Sequence, residues 1–238
     1  MAAESGTQAR SQTLSRGIRL LEILASADGN LTIAELTAAL DVHRSVAYRL
    51  LRTLEDHNLV TRDATGRFAP GAGLAALSAG VARDLQVIAL PMLNDAANEL
   101  GMTCILAVML DTGEAVTLST AMPRQSVAAV SYRPGHRHPI SSGAPGKAIL
   151  MSMPESSWPP NLSLETRADI EAARERGYAM SSGEVVPSLT SLAVPLILPG
   201  QPPASVAAIH LGFSRPEAEI AAVLAAAAQE VRRSYGLT

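Results

Sequence analysis

The sequence predicts an α+β protein in two parts: three short helices closed by a hairpin, then a longer part in which helices flank an antiparallel sheet. Three observations carry that expectation. Apolar residues recur at helical spacing between Leu14 and His57, the period switches to two between Val60 and Ala69, and beyond Pro91 short alternating runs are interleaved with helical ones. A chain of 238 residues is long enough for two such units, each with its own core.

The first 13 residues are small or polar and are expected to be disordered. Leu14, Ile18, Leu21, Leu24 and Ala25 then mark a first helix, broken by Gly29-Asn30. Thr32 opens a second with a capping box, because Glu35 can bond back to the cap amide, and that helix ends by Leu40. Asp41-Val42-His43 connects to a third helix, Arg44 to His57. Val60-Thr61-Arg62 and Arg67-Phe68-Ala69 alternate around Asp63-Ala64-Thr65-Gly66, a hairpin that completes a unit spanning 14–71. The small, apolar stretch 72–90 reads as a linker helix, interrupted or restarted before Pro91.

In the remaining part, 91–238, helices are expected over Met92–Leu100, Lys147–Met153, Leu164–Arg176 and Pro216–Tyr235. Strands are expected over Thr103–Leu110, Ala115–Thr120 and Ser126–Tyr132, from Gly177-Tyr178 onward, and over Leu189–Leu198 and Ser205–Phe213. A Gly/Pro/Ser-rich loop runs from Pro134 to Gly146.

Hydrophobic residues make up 47% of the chain but aromatics only 3%, so Ala, Leu, Val and Ile must fill the interior. Charged residues are 17%, low enough to suggest surface covered by a partner subunit. A net charge of −3 excludes a protein that coats nucleic acid by bulk electrostatics. Residues 1–70 balance eight arginines against eight acids, so any basic surface must be local. Cys104 is the only cysteine, which excludes an intramolecular disulfide and a multi-cysteine metal site; no cofactor is implied. With no secretory signal and no apolar run near the ~20 residues of a bilayer span, the expected compartment is the cytoplasm.

The third helix specifies two faces. Val46, Ala47, Leu50 and Leu54 form a stripe to be buried, while Ser45, Tyr48, Arg49 and Arg52 fall at i, i+3, i+4 and i+7 on another face. Solvated arginines on a surface helix would give the same pattern, but the context argues otherwise. A short helix, a three-residue turn and a second helix form a helix-turn-helix, whose last helix enters the major groove. There Arg forks can bond guanine edges, and hydroxyls can bond phosphates or bases. Acids are absent from 42 to 54, Arg44 opens the helix, and the hairpin arginines Arg62 and Arg67 suit a wing against the DNA backbone.

The stretches LSRGIRLLEILA, LTIAELTAAL, HRSVAYRLLRTLEDHNLV and RDATGRF together resemble the N-terminal half of the IclR family of bacterial transcription regulators. RPGHRHPISSGAPGKAIL, RERGYA and SLAVPL resemble its later landmarks, so the likeness covers nearly the whole chain from Leu14. The resemblance implies a winged helix-turn-helix, a linker helix and a GAF-like (profilin-like) effector domain. It also implies a homodimer or homotetramer on a near-palindromic operator, as repressor or activator, responding to a small organic acid. The effector site it implies comprises Ser141, Ser142, Gly143, Ala144, Pro145, Ser181, Ser191, His210 and Gly212. Pro145 has no N–H to offer a carboxylate, and His210 lies where a small hydroxyl residue is common. A histidine among serines and amides could hold an anion, and room at Gly212 beside Ile140, Leu192 and Ile209 favours an aromatic or branched acid. The chain is short for the family between Met153 and Thr166, which would thin one pocket wall. His136 and His138 either line the pocket or, the favoured reading, form an exposed basic turn, and Cys104 reads as core.

Gly146-Lys147 is not a phosphate-binding loop, because Ser141 and Ala148 stand where that motif needs Gly and Ser or Thr. An enzyme using Ser191 or Ser141 as nucleophile and His210 or His138 as base is the competing expectation. It lacks a strained nucleophile turn and an acid to orient the histidine. A domain that only oligomerises is a third.

Overall fold

The computed structural model describes residues 11–125, 130–213 and 215–236. The chain divides into two compact units, the first ending at Arg83 and the second beginning at Asp84.

In the first unit, α1 (Gln12–Ser26), α2 (Ile33–Leu40) and α3 (Arg44–Asp56) pack around Leu20, Leu24, Leu36, Leu50, Leu51, Val60 and Phe68. Truncating a fully buried leucine of this cluster to alanine typically costs about 2–5 kcal/mol. The Thr32–Glu35 capping box forms in both directions, and Asp41, left-handed at φ 50, ends α2. Strands β1 (Val60–Arg62) and β2 (Phe68–Pro70) pair antiparallel, Arg62 opposite Phe68. Leu31 exchanges both backbone bonds with Phe68, a third rung with no visible sequence pattern. After the hairpin the chain folds back so tightly that a Cβ on Gly71 would stand 2.2 Å from the Asn58 carbonyl oxygen. Only glycine fits there.

The linker helix is interrupted before Pro91, as expected: α4 (Gly73–Ser78) stops, Ala82 turns left-handed at φ 44, and α5 (Arg83–Leu100) begins. The separate helix expected from Met92 does not start after Pro91, which lies inside α5. An interior proline costs about 3 kcal/mol. Burial of Leu85 and Ala89 before it and of Leu93, Ala96 and Ala97 after it outweighs that cost.

The second unit is built on a six-stranded antiparallel sheet in the order β5-β4-β3-β8-β7-β6. Its strands are β3 (Thr103–Leu110), β4 (Glu114–Ala121), β5 (Arg137–Pro139), β6 (Ala179–Ser182), β7 (Thr190–Leu196) and β8 (Ala204–His210). Residues 126–129 of the expected third strand lie outside the described residues, and 130–132 are not strand; among the described residues the next strand after β4 is β5, inside the supposed loop. On one face Ile105, Ala107, Ala193, Ala207 and Ile209 pack against Ala144 and Ala148 of α6 (Gly143–Met151), with α7 (Leu164–Arg176) behind it. Alanine on both sides lets helix and sheet approach closely, which is how a core nearly free of aromatics is filled. The alternate residues, such as Val194, face α8 (Glu217–Ser234). Cys104 is buried, as expected.

Candidate nucleic-acid interface and ligand pocket

Helix α3 buries Ala47, Leu50 and Leu51 and leaves Arg44, Ser45, Tyr48, Arg49 and Arg52 exposed. The His43 ring caps its first turn, Nδ1 accepting from the Ser45 amide at 3.3 Å. Arg44 lies over the Tyr48 ring, 5.5 Å from its centroid, and donates to the Tyr48 hydroxyl at 3.4 Å. Among the described residues neither the Arg49 nor the Arg52 guanidinium has an intramolecular partner. Two cations with unused donors are therefore offered to the outside.

The hairpin arginines are exposed but engaged. Arg62 donates to the Gly66 carbonyl at 3.3 Å and lies over Phe68, and Arg67 donates to the Asn30 carbonyl at 3.0 Å and pairs with Glu35 at 3.7 Å. Asp63 organises the turn, accepting from the Asn30 side chain at 2.8 Å, the Thr65 hydroxyl and amide, and the Arg67 amide. These bonds, that from Asn30 foremost, hold its carboxyl well below the usual carboxylate range.

In the second unit a small cavity lies on the α6 side of the sheet, lined by Tyr132, Pro145, Ser181, Ser191 and Ile209, and by Glu184, Val185, Val186 and Leu189 of the β6–β7 connection. At about 20 Å³ it holds a water molecule or so. Gly143, Ala144 and Pro145 form the first turn of α6, so the missing N–H of Pro145 forfeits no helical bond. The amides before it are taken: Ala144 donates to Ser181 Oγ at 2.9 Å, and Gly143 to Glu184 Oε2 at 2.9 Å. Ser181 and Ser191 share a hydroxyl bond of 2.8 Å. Lys147, buried in α6, donates to Glu184 Oε1 at 2.8 Å and to Asp169 at 2.9 Å. Burial works against the ammonium, but these bonds outweigh it and raise its pKa. A Cβ at Gly146 would stand 2.2 Å from the Ile140 carbonyl oxygen, which is the physical reason for glycine before that lysine.

Several sequence expectations fail here. His210 does not join Ser181 and Ser191: Ser191 is opposite Ile209, so the period of two turns His210 to the other face, where its Nδ1 meets the Gly212 carbonyl. Gly212 lies beyond β8, and Leu192 shares the His210 face. Ile140 packs behind α6 with Ile149, Leu150 and Trp158. The short segment 153–166 seats Trp158 there and lines no part of the cavity. Ser141 and Ser142 precede α6 without touching the cavity. His136 and His138 are no exposed turn. His138 is buried on β5, His136 takes the Tyr132 hydroxyl at 2.9 Å, and burial foremost lowers both their pKa values while pushing that of Tyr132 up to about 12.

Family profiles match both units: the IclR helix-turn-helix domain over residues 13–64, and the bacterial transcriptional regulator IclR C-terminal over residues 78–233. The chain belongs to the IclR family. It is 25% identical to the transcriptional repressor IclR of Escherichia coli K12, over 94% of this chain and 90% of that protein. It is 26% identical to the repressor AllR of the same strain, over 80% and 76%. An IclR regulator from Alicyclobacillus acidocaldarius has the same fold, with TM-score 0.83 at 24% identity, covering 96% of this chain and 100% of that one. An IclR homologue from Microbacterium hydrocarbonoxydans, solved in complex with 4-hydroxybenzoate, gives TM-score 0.77 at 20% identity over 94% and 99%. This IclR-family chain is thus a transcriptional regulator with a DNA-binding helix-turn-helix and an effector domain. Among its described residues no helix is long and apolar enough to cross a membrane.

Tyr132, Glu184, Val185, Val186 and Leu189 of its pocket were missed in the sequence, as was Lys147, which pairs with Glu184. A single lysine inside the apolar run GAPGKAIL was the available signal, since a buried ammonium requires acids to pair with it.

Proposed function

We propose that the protein binds a near-palindromic operator as a homodimer or homotetramer in the cytoplasm, and that a small organic acid taken up by the second unit changes that binding through the linker. Arg49 and Arg52 on α3, exposed and unpartnered among the described residues, carry the first part. Arg44, Ser45 and Tyr48 extend that face, with Arg62 and Arg67 beside the phosphates. Apolar side chains exposed on α1 (Leu14, Ile18) and on α5 (Val87, Leu90) support self-association. The ligand reading rests on the cavity between the first turn of α6, Ser181 and Ser191. The relative solved with 4-hydroxybenzoate supports an aromatic acid.

For an effector to regulate, it must bind two arrangements of the chain with different affinity. Titrating a duplex selected from a random pool, at several salt concentrations, tests the first part. Affinity should fall steeply with salt, and a flat response contradicts phosphate neutralisation by arginines. Adding 4-hydroxybenzoate should shift the midpoint. The enzymatic alternative gains nothing from the geometry, because the Ser191 hydroxyl meets Ser181 and the Ala144 amide rather than a ring nitrogen.

A further inference from the structure

The pocket of the second unit already contains a carboxylate, the protein's own. Glu184 belongs to the connection 183–189 between β6 and β7, which is closed on itself by the bond from the Gly183 amide to the Leu189 carbonyl at 2.8 Å. Left-handed residues stand near its two ends, Gly183 at φ 69 and Ser188 at φ 68. Val185, Val186 and Leu189 of this strap cover the cavity, and the Glu184 carboxylate ties the strap down to the Gly143 amide and to Lys147.

The charges are unequal. Lys147 faces two acids, Asp169 at 2.9 Å and Glu184 at 2.8 Å. Removing Glu184 leaves the buried ammonium neutralised by Asp169, whereas removing both would strand it. One carboxylate is therefore surplus. The Glu184 side chain is one-third exposed, so swinging it into water costs little desolvation.

We propose that Glu184 is a tethered occupant that latches the strap shut, and that a small monocarboxylate enters by replacing it at the Gly143 amide and Lys147. The inference deepens the ligand reading above and rests on it. It explains how a cavity with room for about one water can serve a ligand several times larger: the latch must open first. The exchange is one anion for another, so the net charge beside Lys147 is unchanged when a ligand binds.

The test compares wild type, E184A and E184Q by hydrogen exchange, in sodium acetate and in sodium chloride of equal ionic strength. In E184A the Gly183 and Leu189 amides should exchange about tenfold faster or more, while the β3 and β8 amides stay unchanged. Acetate should slow that exchange in E184A at concentrations that leave wild type unaffected, and chloride should not. E184Q, which keeps a neutral acceptor for Gly143, should fall between the two and serves if E184A does not fold. Strap exchange that is equal in all three proteins, or acetate protection as strong in wild type as in E184A, overturns the latch. Duplex binding is read separately. Acetate-dependent closure with no change in duplex affinity would leave the latch standing and sink the effector reading.

Discussion

The face of α3 and the first turn of α6 are both rich in donors, but they treat them differently. On α3 the forks of Arg49 and Arg52 have no internal partner among the described residues, whereas at α6 the Gly143 and Ala144 amides and the Lys147 ammonium are all taken by side chains of the same unit. A convex surface can hold unused cations in water at little cost and wait for a large polyanion. A buried donor cannot wait, because an unsatisfied polar group away from water costs about 1–3 kcal/mol. The proposed ligand site is therefore already filled from within, and the proposed DNA-facing surface is open.

The contrast is broken most severely by removing the free forks. R49A combined with R52A should weaken binding to the selected duplex about a hundredfold or more and lower the salt slope by roughly two. Arg67, committed to Asn30 and Glu35, should matter less to binding when changed to alanine and more to thermal stability. Equal effects on duplex affinity would erase the distinction between free and engaged arginines.

Next in size are the close approaches that shape each unit. G146A beside the Ile140 carbonyl and G71A beside the Asn58 carbonyl should each cost roughly 3 kcal/mol or more by urea denaturation, in different units of the chain. G212A meets nothing nearby and should be close to neutral.

Acid should separate the units further. His136 and His138 have lowered values in the folded chain, so the unfolded chain binds protons first and stability of the second unit falls as pH drops below about 6.5. H138Q should flatten that slope. Asp63 acts in the same direction at lower pH: its depressed value means its stabilisation of the hairpin is full above the ordinary aspartate range, about 3.9, and is lost as pH falls through and below it. D63N removes the effect, seen in amide shifts of Thr65 and Arg67. The smallest effect is chemical. The Cys104 thiol, buried and pushed up to about 12, should resist iodoacetamide at pH 8 until the second unit unfolds.

Sequence was most legible where local rules decide structure. The capping box at Thr32, the stripe on α3 and the turn around Asp63 are all written within a few neighbouring residues. It was least legible where topology decides. Pro91 sits inside a helix because distant packing overrides its local cost. His210 joins Thr190 rather than Ser191 because strand register, not spacing, fixes the face it occupies. Glu184 meets Gly143 across 41 positions, a contact made by the order of strands in the sheet.

The most direct test of the DNA-binding assignment is arginine footprinting. Phenylglyoxal modification, read by mass spectrometry with and without the selected duplex, compares every arginine in one sample. The duplex should protect Arg49 and Arg52 strongly, Arg44 alongside them, and leave Arg174 and Arg232 of the second unit unchanged. Full modification of Arg49 and Arg52 in the saturated complex would contradict the account.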